Sequence, residues 1–116
     1  MWGGDSTAHA QIKRVRIYNQ TDFEVQFDLN TANGEEWGNR VTAIENYIYK
    51  VHPIKKGQYW DFPYEDSIKY WNLILMFPVG NVYFKNIDLS NTREINVYSK
   101  GSSKSYEDAK FYIVKS

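Results

Sequence analysis

The stretch Phe23-Glu24-Val25-Gln26-Phe27-Asp28-Leu29 alternates without a break. Phe23, Val25, Phe27 and Leu29 point one way, and Glu24, Gln26 and Asp28 the other. A period of two is the signature of a strand with one face on a core and the other in water. Working outward, residues 12–18 repeat the pattern, with Val15 and Ile17 opposed to Arg14 and Arg16. Asn19-Gln20-Thr21-Asp22 between them reads as a turn, so the two segments are expected to pair as an antiparallel hairpin. In such a hairpin Lys13, Arg14 and Arg16 lie across from Glu24, Gln26 and Asp28. Each ion pair of that kind contributes roughly a few tenths of a kcal/mol.

The chain continues in short extended pieces. Residues 30–39 read as a loop around the Asn33-Gly34 turn signal, with Glu35, Glu36 and Trp37 following. Residues 41–54 are extended, with a short helical turn over 42–46. Pro53 confines that strand to an edge or an end. Lys55-Lys56-Gly57 turns the chain into a strand over 58–62, and 63–69 reads as a polar connector. Residues 70–77, Tyr-Trp-Asn-Leu-Ile-Leu-Met-Phe, are almost continuously apolar. A run of eight bounded by turns is a central strand covered on both faces, with a short buried helix as the competing reading. In 82–87, Val82 and Phe84 oppose Tyr83 and Lys85. Strands over 95–99 and 111–114 close the chain, with one helical turn near 106–110.

Strands of this number and spacing give an all-β, single-domain antiparallel β-sandwich of about eight short strands over residues 12–116. A small β-barrel is the alternative. The sandwich is preferred because one strand looks central while the others alternate. Composition agrees. Tyr, Phe, Trp, Ile, Val and Thr supply 43 of the 116 residues, and Ala, Leu and Met only eleven. The mean hydropathy of −0.62 looks low for such a core. Ten tyrosines account for it, since tyrosine scores as polar yet buries like a large hydrophobe.

Charge and cysteine content remove several function classes. The formal net charge is zero, from 14 basic and 14 acidic side chains. A dedicated nucleic-acid binder needs a basic field to attract phosphates, so no nucleic-acid partner is expected. Without cysteine there is no disulfide and no Cys-based zinc site. No run approaches 18 apolar residues, so no membrane span is expected. Residues 1–11 read as a flexible leader. Ala8-His9-Ala10 has the small-x-small form of a signal-peptidase site, but the apolar region that such a signal needs is missing. Export to a periplasmic or extracellular space is the expectation drawn from this leader.

Catalytic and metal chemistry find little to stand on. His9 in the leader and His52 beside Pro53 are the two histidines, and a zinc site needs about four ligands, so His52 reads as a surface strand residue. Asp61, Glu65 and Asp66 form the best local oxygen-donor group, without a calcium-loop pattern. No serine sits in a nucleophile turn, and no glycine-rich phosphate loop occurs. The expectation is a non-enzyme without a cofactor. Asn19-Gln20-Thr21 matches the N-glycosylation acceptor pattern.

The distinctive feature is aromatic density over residues 58–71. Parity puts Trp60 and Phe62 on one face, and aligns Trp71 with the core residues Leu73, Leu75 and Phe77. That leaves Tyr59, Tyr64 and Tyr70, with Trp37 from the earlier loop, as candidate exposed aromatics. Exposed tyrosine and tryptophan serve as hot spots for protein partners or as platforms for sugar rings. The competing reading is that they cap the ends of a tyrosine-rich core. The reading that follows is a non-catalytic protein-binding or assembly module, acting through loop aromatics and strand edges. A carbohydrate-binding module and a small inhibitor or immunity-type protein are the alternatives.

Overall fold

A computed structural model describes residues 12–33, 53–99 and 106–116. The expectations for the leader, the loop with Trp37, most of the 41–54 strand, and His52 lie outside the described residues. Eight strands are present among the described residues. They are β1 (Ile12–Gln20), β2 (Val25–Thr31), β3 (Pro53–Ile54), β4 (Tyr59–Glu65), β5 (Tyr70–Phe77), β6 (Gly80–Asp88), β7 (Thr92–Ser99) and β8 (Ala109–Lys115). They form two four-stranded sheets, ordered β4-β1-β7-β8 and β3-β2-β5-β6. The sheets do not close into a barrel, so the fold is the expected sandwich. One 3-10 turn, Tyr106–Asp108, sits where a helical turn was expected.

The first hairpin does not form. β1 and β2 belong to different sheets, and the chain crosses between them at residues 21–24. β1 pairs antiparallel with β4 on one side and parallel with β7 on the other. All other pairings are antiparallel. Crossing is favourable because both strands carry a mainly apolar inner face. Val15 and Ile17 on β1 then meet Val25, Phe27 and Leu29 on β2 across the core rather than beside it. Two basic residues of β1 consequently find partners on β4 and in the turn just after it: Arg16 pairs with Asp61 at 3.0 Å and Lys13 with Asp66 at 3.8 Å.

β5 spans the eight residues expected and lies between β2 and β6. Trp71, Leu73, Leu75 and Phe77 are buried, while Asn72, Ile74 and Met76 on its outer face are half-buried. It is therefore central but covered fully on one face only. On β6 the alternation holds until a bulge opposite Asn72, where the register slips between Trp71 and Leu73. Asn86 takes the left-handed backbone there, with φ 57°, and its N–H donates to Asn72 Oδ1 at 3.0 Å. Asparagine tolerates that conformation better than most residues. The extra residue resets parity, so Phe84 and Ile87 both face inward although they are an odd three positions apart.

The two sheets are joined along one long side by Phe84 of β6 against Phe111 of β8, with ring centres 4.6 Å apart. Tyr106 packs on Phe77 and crosses Gly80 so closely that a Cβ there would stand 2.5 Å from Tyr106 Oη. The β6–β7 connection is held from the chain's end. Lys115 Nζ donates to Asp88 O, Ser90 O and Thr92 Oγ1, at 3.0, 2.7 and 3.0 Å.

Candidate functional site

The aromatic cluster expected over 58–71 is divided by the fold. Tyr59 lies at the start of β4 and is 45 % exposed. Tyr70 opens β5 in the other sheet, 48 % exposed, opposite Asp88 and with Lys69 Nζ 5.4 Å from its ring centre. Tyr59 and Tyr70 therefore do not share a surface. Tyr64, also taken as an exposed candidate, is in the core at 3 % exposure. Its ring meets Trp71 edge-on, with centres 6.2 Å apart. Burial, and secondarily the charge of Asp66, pushes its hydroxyl pKa up from 10.0. β4 runs on through Pro63 to Glu65, so Tyr64 takes the parity of Trp60 and Phe62. Pro63 is tolerated inside the strand because β4 is the outermost described strand of its sheet. Trp60, at the open end of the same face, is 40 % exposed.

Asp61, Glu65 and Asp66 do not converge on one point. Asp61 binds Arg16, Asp66 pairs with Lys13, and the buried Glu65 accepts a hydrogen bond from Ser67 Oγ. No group of three or more His, Asp or Glu side chains poised for a metal ion occurs among the described residues. The acceptor pattern at Asn19 is closed to sugar in the folded chain, because Asn19 and Thr21 are both fully buried. Asn19 Nδ2 donates to Phe23 O and to Ile54 O, each at 2.7 Å, and its Oδ1 accepts from Thr21 N and Oγ1. Its backbone also bonds Gln58 and Gly57, whose φ of 80° makes the turn into β4. This polar knot ties the β1–β2 crossing to the turn that leads into β4.

A different aromatic surface emerges on the outer face of the β4-β1-β7-β8 sheet. Strand register places Tyr59, Tyr18, Asn96 and Tyr112 side by side, one from each strand. Tyr98 extends the row from the next level of β7, opposite Gln20 and Lys110. The rings of Tyr18 and Tyr59 are 5.3 Å apart, and those of Tyr98 and Tyr112 are 6.0 Å apart. Between the two pairs lies Asn96, buried at 4 %, which accepts from Gln20 Nε2 at 2.7 Å. The outer end of the row is held by Arg16. Its Nε and Nη2 grip the two oxygens of Asp61 at 3.0 and 3.3 Å, and its guanidinium carbon lies 3.9 Å from the Tyr59 ring centre. Hydrogen bonding to Asp61 and then to Tyr18 holds the Arg16 guanidinium above its ordinary value. Beside Tyr59 a groove of about 460 Å³ opens between Pro53, Ile54, Gly57, Gln58 and Trp60.

Of this row, only Tyr59 was singled out by sequence. Tyr18 shares the parity of Arg14 and Arg16, so its outward direction was readable. Tyr98 and Tyr112 could not be joined to it, because nothing local specifies that β1 lies beside β7 in parallel. Comparison with family models, with curated proteins and with solved structures gives no match.

Proposed function

We propose that the chain is a non-catalytic protein-binding module whose contact surface is the tyrosine row on the outer face of the β4-β1-β7-β8 sheet. The observation that carries this reading is the row itself: Tyr59, Tyr18 and Tyr112 in one register line, with Tyr98 beside them and Arg16 pinning one end. Tyrosine and arginine are the residue types enriched where binding energy concentrates. Tyrosine offers a large amphipathic surface at low conformational cost, having two side-chain torsions to fix. A hydrogen-bonded sheet holds such groups more firmly than a loop does.

Ring geometry favours a protein over a polysaccharide. A flat sugar chain stacks best on rings that share a plane. Here Tyr18 and Tyr59 are inclined at 58° to one another, and Tyr98 and Tyr112 at 52°. Tilted rings leave wedge-shaped gaps that suit side chains.

Photo-crosslinking residues placed at positions 59, 112 and 83 test the reading in lysate of the source organism. Tyr83 stands on the outer face of the other sheet and is 56 % exposed, so it serves as the control. The expected result is one adduct shared by positions 59 and 112 and absent at 83. Equal labelling at all three positions, or a saturable tryptophan fluorescence shift on a soluble glycan panel without any adduct, overturns it.

A further inference from the structure

On the side where Phe84 meets Phe111, one sheet ends in β8 and the other in β6. An edge strand offers its unpaired N–H and C=O groups to any strand that arrives, and proteins guard such edges with charges, prolines or bulges. β6 is guarded. It carries the exposed Lys85, and its ladder is broken by the bulge at Asn86. β8 is not. Phe111-Tyr112-Ile113-Val114 is an unbroken run of uncharged strand formers without proline or glycine. Lys110 and Lys115 flank the run, and Lys115 is turned away to the β6–β7 connection. Among the described residues, no strand and no backbone hydrogen bond takes the outer side of β8.

The backbone phase decides which groups β8 offers. In a strand the N–H and C=O of one residue point to the same side, and they alternate in step with the side chains. Asn19, inward on β1, exchanges its backbone bonds with Gln58 and Gly57 on the β4 side. The outward residues of β1 therefore bond β7. β7 runs parallel to β1, and β8 antiparallel to β7. Carried across the sheet, this phase sends the backbone groups of the outward residues Lys110, Tyr112 and Val114 to β7. Ala109, Phe111 and Ile113 then aim theirs at the open side.

We propose that this edge is taken by β8 of a second copy of the chain, antiparallel, with Tyr112 opposite Tyr112 on a two-fold axis. The strand is self-complementary in that register. Phe111 and Ile113 exchange backbone bonds with Ile113 and Phe111 of the second copy, and these half-buried side chains cover one another on the inner face. Lys110 falls opposite Val114 and Lys115 opposite Ala109, so no lysine faces a lysine. A shift by two positions either way keeps the backbone phase but leaves two residues of each strand unpaired. The two tyrosine rows then join end to end on one continuous sheet. This pairing goes beyond the contact reading and does not depend on what lies on the row.

The chain has no cysteine, so single cysteines can report the register. Tyr112 would face its copy in a non-hydrogen-bonded pair, with Cα atoms about 4.5 Å apart. That lies within the roughly 4.4–6.8 Å that a disulfide spans. Under mild oxidation, purified Tyr112→Cys is expected to form a disulfide dimer, and Tyr83→Cys on the other sheet to stay monomeric. Lys110→Cys and Val114→Cys should cross-link when mixed but not alone. Hydrogen exchange of the unaltered chain supplies a second readout. The amides of Lys110, Tyr112 and Val114 should be protected at every concentration, and those of Phe111 and Ile113 only as concentration rises. Cross-linking of Tyr112→Cys no faster than Tyr83→Cys overturns the proposal, as does cross-linking of Lys110→Cys alone as fast as the mixture. Exchange at Phe111 and Ile113 that ignores concentration also overturns it. If those two amides are slowed only by adding a different protein, the edge takes a foreign strand and self-pairing fails.

Discussion

β4 carries two tyrosines, five residues apart, with opposite fates. Tyr59 lies outward at 45 % exposure over Arg16, while Tyr64 lies inward at 3 % against Trp71. An odd separation in a regular strand sends two side chains to opposite faces. The two ends of β4 are also held differently. The Tyr59 end is tied down by the Asn19 hydrogen bonds to Ile54 and by the backbone bonds to Gly57 and Gln58. The Tyr64 end is held by ring packing against Trp71, whose indole N–H donates to Ile68 O. A polar knot leaves the surface above it open for contact, whereas an aromatic plug consumes its tyrosine. Residue type alone therefore says nothing of role here; position in the pleat does.

The widest separation is expected from truncating each tyrosine. Tyr64→Ala opens a cavity beside Trp71 and should cost about 3–5 kcal/mol, as buried aromatics do. Tyr59→Ala should stay within about 1 kcal/mol, as exposed substitutions do. Urea unfolding of both variants measures the gap. Similar losses would mean that both tyrosines are structural, and the contact surface would lose its anchor.

Much of this contrast was available in the sequence and was lost at one residue. The alternation Trp60, Phe62, Tyr64 runs unbroken through Pro63. Reading proline as the end of the strand turned Tyr64 into a loop residue. Proline is excluded only where its missing N–H is needed, and the outermost strand of a sheet is where it is not. The cores of β2 and β5 were legible because each apolar residue reports on its own strand. The pairing of β1 was not legible. A turn between two alternating strands is compatible with a hairpin or with a crossing, and long-range burial decides between them. The tyrosine row depends on that pairing, so it stayed hidden although each member was in view.

Asn19→Ala probes the other end of β4. The variant strips two donors from the carbonyls of Phe23 and Ile54 and an acceptor from Thr21, the latter two in a buried setting. Leaving buried polar groups unpaired should cost about 3 kcal/mol in total, somewhat below the loss at Tyr64. Hydrogen exchange should locate the damage at residues 53–60 and spare β5. Uniform loss of protection would show that the two ends of β4 are not held independently.

A smaller effect at the Tyr64 end depends on pH. The folded Tyr64 hydroxyl titrates above its ordinary value of 10.0, because burial disfavours the phenolate. The unfolded chain then releases that proton first. Stability contributed by the neutral hydroxyl is full below pH 10.0 and is lost as pH rises above it. Tyr64→Phe should flatten this alkaline decline, measured by urea unfolding on either side of pH 10.0. A parental slope in the variant would contradict the burial of the hydroxyl.

The smallest expected effect concerns Asp88, which lies opposite the exposed Tyr70. Asp88 Oδ1 accepts from Ser90 N at 2.8 Å, and Lys115 and Lys69 stand nearby. The hydrogen bonds to Ser90 first, then the two lysines, hold its carboxyl below the ordinary 3.8. With the folded value depressed, the stabilisation is complete above the unfolded value and is lost as pH falls through the folded one. Asp88→Asn keeps an Oδ1 acceptor for Ser90 but removes the charge. Melting temperature at pH 7 should fall slightly, and the acid-side decline below about pH 4 should become shallower. If the variant kept the parental acid slope, the carboxylate would have no part in fixing the β6–β7 turn. Lys115 and the backbone bonds from Thr92 to Leu89 and from Ser116 to Asn91 would then hold that turn in place, and the exposure of Tyr70 would be a by-product of chain reversal rather than of a charged lock beside it.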